Sequence, residues 1–373
     1  MTRFSKSRRV FFIEEPVTGD YEASHLLSRK RNPNIVVVTP HLPHGLNAEH
    51  AKEEQKKLLD DLILSEKIED FDLWYYNPLA LSFTEHLDSR VIIYDCMDEL
   101  ARLHETQPDS LSIEKDLIRR ADLVFTGGQA LYEAKQHLHP HVHCFPSSID
   151  TVHFKQARHK QTEPEDQAKI EGTKVGFLGV IDERFDISLL EESAKIRPDW
   201  QFILIGPIVK IDPTLLPNQP NIHYLGRRDY QEVPAYLSHW DLAILPFVKN
   251  ESTRFLSPNR TEEYLAAGLP VVSTSLTDVI HPYGDLGLVQ IADGAEAFVE
   301  AGEVTMTRSK IDETWLYKVD RYLGDKSWDE TARQMQALEL DLHERHKRVK
   351  EEGTVVPNFL LPKKSSHAST YKT

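Results

Sequence analysis

The sequence predicts an α/β protein with two Rossmann-like, doubly wound domains followed by helices. Three observations predict it. Short apolar runs bounded by turn residues recur along the 373 residues, these runs are nearly continuous, and stretches of helical spacing separate them. A strand covered by helices on both faces has no wet side, so its apolar residues need not alternate with polar ones. Alternating strands and helices then imply parallel sheets.

In the first half the runs are Val10–Ile13, Ile35–Thr39, Leu73–Tyr76, Val91–Tyr94, Leu123–Thr126 and Val142–Phe145. In the second half they are Lys174–Leu178, Gln201–Ile205, Ile222–Leu225, Leu242–Pro246, Val271–Thr274 and Leu288–Ile291. Between them Phe154–Gly172 is polar and carries Pro164, and Gly172 precedes a fresh strand. The division read from this is a first domain over 1–155, a linker over 156–172 and a second domain over 173–310. Trp315, Leu316, Val319 and Leu323 then recur at helical spacing, and Ser327 with Trp328 opens another helix. These helices, over 311–350, are expected to pack back across the domains. The tail 351–373, with Pro357, Pro362 and several Ser and Thr, reads as poorly ordered.

Composition narrows the function. Hydrophobic residues make up 40% and charged residues 28%, which is ordinary globular usage. The net charge of −15 argues against a nucleic-acid partner, which calls for a basic face. No stretch approaches the roughly 20 apolar residues of a membrane-spanning helix. The first residues lack the apolar core of a secretory signal, and two cysteines, Cys96 and Cys144, fit a reducing cytoplasm. Arg3, Lys6, Arg8 and Arg9 form a basic cluster that is a candidate for peripheral contact with anionic lipid at the inner face of the membrane, or a solvated surface.

The most informative stretch is Leu242–Thr274, LAILPFVKNESTRFLSPNRTEEYLAAGLPVVST. A strand ends at Pro246 and a polar loop follows. Ser257-Pro258 then reads as an N-cap with proline at the first helical position, and Gly268 closes the helix. A helix start at the carboxyl end of a parallel strand is where such sheets bind ligands. The free N–H groups there favour an anion, Ser257 and Asn259 stand at the entry, and Arg260 adds a charge suited to phosphate oxygens. Glu263, three residues on, shares a helix face with Arg260 and could accept hydrogen bonds from two ribose hydroxyls. An equally open reading is a capped surface helix with an Arg260–Glu263 pair.

This segment resembles the donor-binding segment of GT-B glycosyltransferases, in particular the retaining glycogen-synthase- and mannosyltransferase-like group of bacterial cell-surface polysaccharide type. The resemblance rests on EYLAAG, which places the family's ribose-binding glutamate at Glu263, and on NIHYLGRRDYQEVPAYLSHWDLAILPF before it. SSIDTVHF (Ser147–Phe154) is similar to the family's passage between domains, and GFLGVIDERFD (Gly176–Asp186) to the first loop of its donor domain. The match covers most of residues 10–340. The chain departs from the pattern in two ways. Where relatives carry a second glutamate, eight positions before Glu263, this chain has Phe255, with Glu251 a substitute in the same loop. By the resemblance, the usual first strand–helix unit is also expected ahead of Val10–Ile13 and is not found, so either the start is internal to a longer sequence or this is a shortened form, and an exposed sheet edge with weak stability or association is expected.

Further candidates follow from position. Arg184 could reach a diphosphate or pair with Asp182 or Glu183, while Asp186 could cap the next helix. Lys249 and Thr253 are candidate phosphate contacts. In VIIYDCMDE, Asp95 and Asp98 fall at the carboxyl end of a strand, where a carboxylate can act as a general base or cap the following helix. Gly127 and Gly128 open a helix and would let a ligand come close to the backbone, or form a plain tight turn. His41, in TPHLPHGLN, is an acceptor-side candidate. His137, His139, His141 and His143 alternate, but Pro140 interrupts them and no carboxylate or Cys cluster supports a metal.

The resulting expectation is a glycosyltransferase that takes a nucleoside diphosphate sugar, a UDP-sugar by resemblance, and transfers its glycosyl group to a polysaccharide or lipid-linked acceptor. No cofactor is expected, and no metal either, because Arg260 and the helix start would stand in for one. The competing readings are a nucleotide-sugar epimerase of similar fold and a truncated relative that binds nucleotide or partners without catalysis.

Overall fold

The computed structural model describes residues 1–99, 110–309 and 313–352. By packing, the described chain forms two compact units. The first holds 1–95, 110–124 and 333–352, and the second holds 96–99, 125–309 and 313–332.

In the first unit, β1 (Val10–Ile13) and β2 (Val17–Gly19) both run parallel to β4 (Ile35–Pro43), with Val10 opposite Ile35 and Val17 opposite His41. Pro16, which has no N–H to donate to a ladder, lies in the gap between them. On the other side of β4, β3 (His25–Asn32) pairs antiparallel, with His25 opposite His41, after a tight turn through Pro33-Asn34. This sheet is therefore mixed, and neither β2 nor β3 follows from the apolar runs. Most side chains of β3, HLLSRKRN, are exposed, so the strand has no continuous apolar signature to detect.

A second four-stranded sheet has the order β5 (Leu73–Tyr75), β6 (Ile92–Cys96), β7 (Leu123–Thr126), β8 (Val142–Cys144), and the division between units falls within β6 and β7. The first half thus carries two four-stranded sheets where one doubly wound sheet is expected.

The second unit holds a six-stranded sheet. Its strands are β9 (Thr173–Leu178), β10 (Trp200–Ile205), β11 (Ile222–Gly226), β12 (Leu242–Leu245), β13 (Val271–Ser273) and β14 (Gln290–Ile291). The order is β11-β10-β9-β12-β13-β14 and every pairing is parallel. All six expected runs are strands here. Their side chains, among them Val175, Phe177, Phe202, Ile244 and Val271, fill one core together with Tyr264 and Leu265 of the helix Arg260–Ala266.

The segment read as a linker is packed. Gln167 is fully buried, donating to the Tyr236 carbonyl (3.2 Å) and accepting from the Trp240 indole (2.9 Å). Arg158 grips Asp320 through both terminal nitrogens (2.9 Å each) and donates through Nε to the Ala266 carbonyl (2.8 Å). Helix Glu313–Leu323 is thereby tied to the end of the helix Arg260–Ala266. Ser327 caps the long helix Trp328–Glu352 through the Glu330 N–H (3.1 Å), as its sequence suggests. The tail 353–373 lies outside the described residues.

Candidate functional site

The strand order reverses between β9 and β12. The chain leaves both strands at their carboxyl ends, so their loops flank the topological switch point where open α/β sheets bind ligands. The two loops, 179–186 and 246–259, are joined backbone to backbone. Asp186 N–H donates to the Pro246 carbonyl (2.8 Å), Val248 N–H donates to the Arg184 carbonyl (2.9 Å), and Phe185 bridges Phe247. Asp186 caps the helix Ile187–Ile196 through the Leu189 N–H (2.9 Å), one of the roles open to it.

The helix at the switch point begins at Arg260, later than Ser257-Pro258 suggests. Ser257 lies beside Asp278, and its hydroxyl does not cap the helix. Asn259 stands at the helix start with an exposed side chain that caps nothing. Gly268, at φ +78°, closes the helix as read. One turn in, Arg260 and Glu263 form an ion pair, with the arginine 36% exposed and the carboxylate 15%. Burial pushes the Glu263 carboxyl up, and the guanidinium opposes that rise. A guanidinium has five N–H donors, so Arg260 keeps capacity for an oxyanion beyond Glu263.

The remaining donor-side candidates are held by protein partners. Arg184 is clasped through its guanidinium and backbone N–H by Asp182, itself 7% exposed, which is the paired reading left open by the sequence. Asp98 adds to the negative field around Arg184. Lys249 reaches Asp293 (2.7 Å), which also accepts from the Ser275 N–H and hydroxyl. Thr253 needs a correction as a phosphate contact. Its side chain is buried, donating to the Val248 carbonyl (2.5 Å) and accepting from the Asn250 N–H (3.1 Å), so it shapes the loop. Glu251 is exposed on the same loop.

Gly127 and Gly128 also differ from expectation. The group that approaches them is protein. The Asp278 carboxylate accepts from the backbone N–H of Gln129 (3.1 Å) and Ala130 (2.8 Å), capping the helix Gln129–Lys135 from 148 residues away. A Cβ on Gly128 would stand 2.1 Å from an oxygen of Asp278, and one on Gly127 would press on Met97 at 3.1 Å.

Within the first unit, Asp95 stands one residue before the end of β6 with 6% exposure. Burial pushes its carboxyl up to about 6 against the opposing hydrogen bond from the Trp74 indole (3.1 Å). A carboxyl in that range titrates near neutral pH, as a general base must. Asp98 is exposed three residues later, and the segment 100–109 that follows lies outside the described residues. His41 lies in β4 within a ring cluster, 4.8 Å from Tyr21 and 5.0 Å from His25 between centroids. Its Nδ1 is buried without a hydrogen-bond partner. His139 and His141, from the alternating run, stand with ring centroids 5.9 Å apart.

Sequence reasoning missed Tyr230. It stacks on His153 at 4.0 Å and 12°, its carbonyl meets His153 Nε2 (2.9 Å), and it feels the charges of Glu263 and Arg260. The ring remains 46% exposed beside that pair. The turn GRRDY gives no periodicity to mark it; only its place after β11 could have done so.

Residues 172–306 match the family described as glycosyl transferases group 1. That segment is a group 1 glycosyl transferase domain. It contains the whole six-stranded sheet, the Arg260–Glu263 pair, Arg184 and Tyr230. A protein assigned by name to teichuronic acid biosynthesis, glycosyltransferase TuaH of Bacillus subtilis (strain 168), is 29% identical over 236 residues, 59% of this chain and 59% of its own length. Among solved structures, α,α-trehalose 6-phosphate synthase of Burkholderia multivorans superposes with a TM-score of 0.63 at 10% identity, covering 94% of this chain and 99% of that one. Sucrose-phosphate synthase of Thermosynechococcus elongatus gives 0.60 at 12% over 94% and 90%. HepE of Anabaena, in complex with UDP and glucose, gives 0.52 at 14% over 84% and 86%. The fold around the group 1 domain is that of the GT-B glycosyltransferases.

Proposed function

We propose that the protein is a glycosyltransferase that takes its sugar from a nucleoside diphosphate donor, a UDP-sugar, and delivers it to a polysaccharide or lipid-linked acceptor. One observation carries the reading: an arginine and a glutamate one turn apart open a helix beside the switch point of a group 1 domain. Arg260 and the N–H groups at the helix start would take the diphosphate oxygens, with Arg184 in reserve on Asp182 and Lys249 on Asp293. Glu263 would accept from the ribose hydroxyls. Tyr230 offers an aromatic face for the base at the same place.

The chemistry asked of these groups is electrostatic. Bond cleavage puts negative charge on the departing diphosphate, and fixed cations and N–H dipoles stabilise that charge without a metal. Asp95, Asp98 and Glu251 are the carboxylates available to position or deprotonate an acceptor, with Asp95 the one poised near neutrality. His41 and its ring neighbours present a surface on which a sugar ring could stack. Retention of anomeric configuration is the course that the sequence resemblance implies. A cytoplasmic location, with contact at the inner membrane face, fits a lipid-linked acceptor; among the described residues no helix is long and apolar enough to cross a membrane. Of the N-terminal basic residues, Arg8 pairs with Asp72 and Arg9 with Glu66.

Calorimetric titration with UDP and with other nucleoside diphosphates tests the donor class. Incubation with labelled UDP-sugars, followed by product analysis, then separates transfer to an acceptor from epimerisation of the donor. Absence of binding to any nucleoside diphosphate would remove the proposal.

A further inference from the structure

We propose that Asp72, Glu339 and His343, in the first unit, form a binding site for one divalent transition-metal cation of the zinc type. This is separate from the donor chemistry proposed above, which calls on other residues.

The geometry carries it. Asp72 sits immediately before β5, and Glu339 and His343 lie one turn apart on the helix Trp328–Glu352, a spacing that puts both on one face. One donor atom from each of the three lies within 4.8 Å of the other two, and this is the one such group among the described residues. His343 Nε2 and Asp72 Oδ1 are 3.5 Å apart. Two ligands at about 2.1 Å from a tetrahedral cation stand roughly 3.4 Å apart.

The polar accounting points the same way. One oxygen of each carboxylate meets a guanidinium: Asp72 Oδ2 accepts from Arg8 (3.2 Å) and Arg90 (3.1 Å), and Glu339 Oε1, which is 4.0 Å from His343 Nε2, accepts from Arg8. The other two oxygens, Asp72 Oδ1 and Glu339 Oε2, are buried with no hydrogen-bond partner. The Glu339 side chain is 1% exposed. Two buried carboxylate oxygens lacking donors repel each other unless a proton or a cation lies between them. Arginines on one oxygen of each carboxylate resemble the outer-shell partners that orient carboxylate ligands. An imidazole with two carboxylates suits Zn²⁺ or a neighbouring first-row ion over Ca²⁺ or Mg²⁺. The alternative occupant is a shared proton, consistent with burial pushing the Glu339 carboxyl up.

The two are separated by Glu339→Gln. A glutamine amide can donate to Asp72 in place of the proton but cannot serve as an anionic ligand. The full chain, dialysed against a chelator, is titrated with Zn²⁺ at pH 7.5, with Co²⁺ as the spectroscopic probe, and its fold is checked by circular dichroism. The expected result is one Zn²⁺ per wild-type chain, a Tm raised by about 3 °C at a hundredfold excess over Kd, and visible Co²⁺ absorption from nitrogen and oxygen ligands. Glu339→Gln and His343→Gln should each weaken binding by at least about 100-fold and lose the Co²⁺ band. A wild-type Tm indifferent to Zn²⁺, or Zn²⁺ binding unchanged in both variants, overturns the proposal. Neither variant should change UDP affinity, so failure here leaves the donor reading standing.

Discussion

Asp278 places a carboxylate oxygen where a Cβ on Gly128 would have to stand, 2.1 Å away, and from there caps the helix Gln129–Lys135. The glycine and the aspartate are one device: the first leaves the space and the second fills it with the acceptor that the helix start lacks. Gly128→Ala must displace the carboxylate and lose both hydrogen bonds. A cost of about 2 kcal/mol in unfolding free energy is expected, and Asp278→Ala should cost about the same because it leaves two N–H groups uncapped. The double variant should cost little more than either single one. Additive losses in chemical denaturation would show that the two residues act independently.

Asp95 gives a pH prediction. Its carboxyl is raised to about 6 from an ordinary 3.8, so the folded protein holds a proton that the unfolded chain has released. Stability from this group is complete below pH 4 and falls as pH rises through 6, by at most about 3 kcal/mol. Asp95→Asn, which still accepts from Trp74, should flatten that slope and raise stability at pH 7.5. An unchanged slope between pH 4 and 7 would place the titration elsewhere.

Arg260→Ala should weaken UDP binding by about 10- to 150-fold, the scale of one charge-assisted hydrogen bond, or about 1.5–3 kcal/mol. Arg260→Lys keeps the charge but loses the fork and should fall between the two. Glu263→Gln should weaken UDP more than it weakens inorganic pyrophosphate, because only UDP carries a ribose. Equal effects on both ligands in calorimetry would detach Glu263 from the sugar.

Beside Glu263, Glu262 is buried and accepts from Lys326 Nζ (2.5 Å) and the Tyr283 hydroxyl (2.8 Å). Lys326→Met leaves that carboxylate without its counter-charge and should cost about 3–5 kcal/mol. Adding Glu262→Gln should restore much of the loss. A double variant as unstable as the sum of its parts would refute the pairing.

The sequence made most of this fold legible because buried parallel strands read as uninterrupted apolar runs, and all six strands of the group 1 domain could be placed. The strands β2 and β3 were not legible. Pro16 cuts the first short, and β3 spends its charged side chains in solvent, where apolar spacing says nothing. At the site, Arg260 and Glu263 were readable from their three-residue spacing and from the EYLAAG resemblance. The helix starts later than Ser257-Pro258 suggests, and Ser257 sits beside Asp278, 21 residues on. The engagement of Thr253 within its own loop, and of Gly128 with Asp278, depends on tertiary approach that no local pattern encodes.

The backbone ties from Asp186 to Pro246 and from Arg184 to Val248 make one rigid piece of two loops that are some sixty residues apart in the chain. Substitutions at opposite ends of that seam should therefore behave as neighbours. Altering the first loop would also shift the entry to the Arg260 helix, so the Asp182–Arg184 clasp and the Arg260–Glu263 pair are expected to respond together.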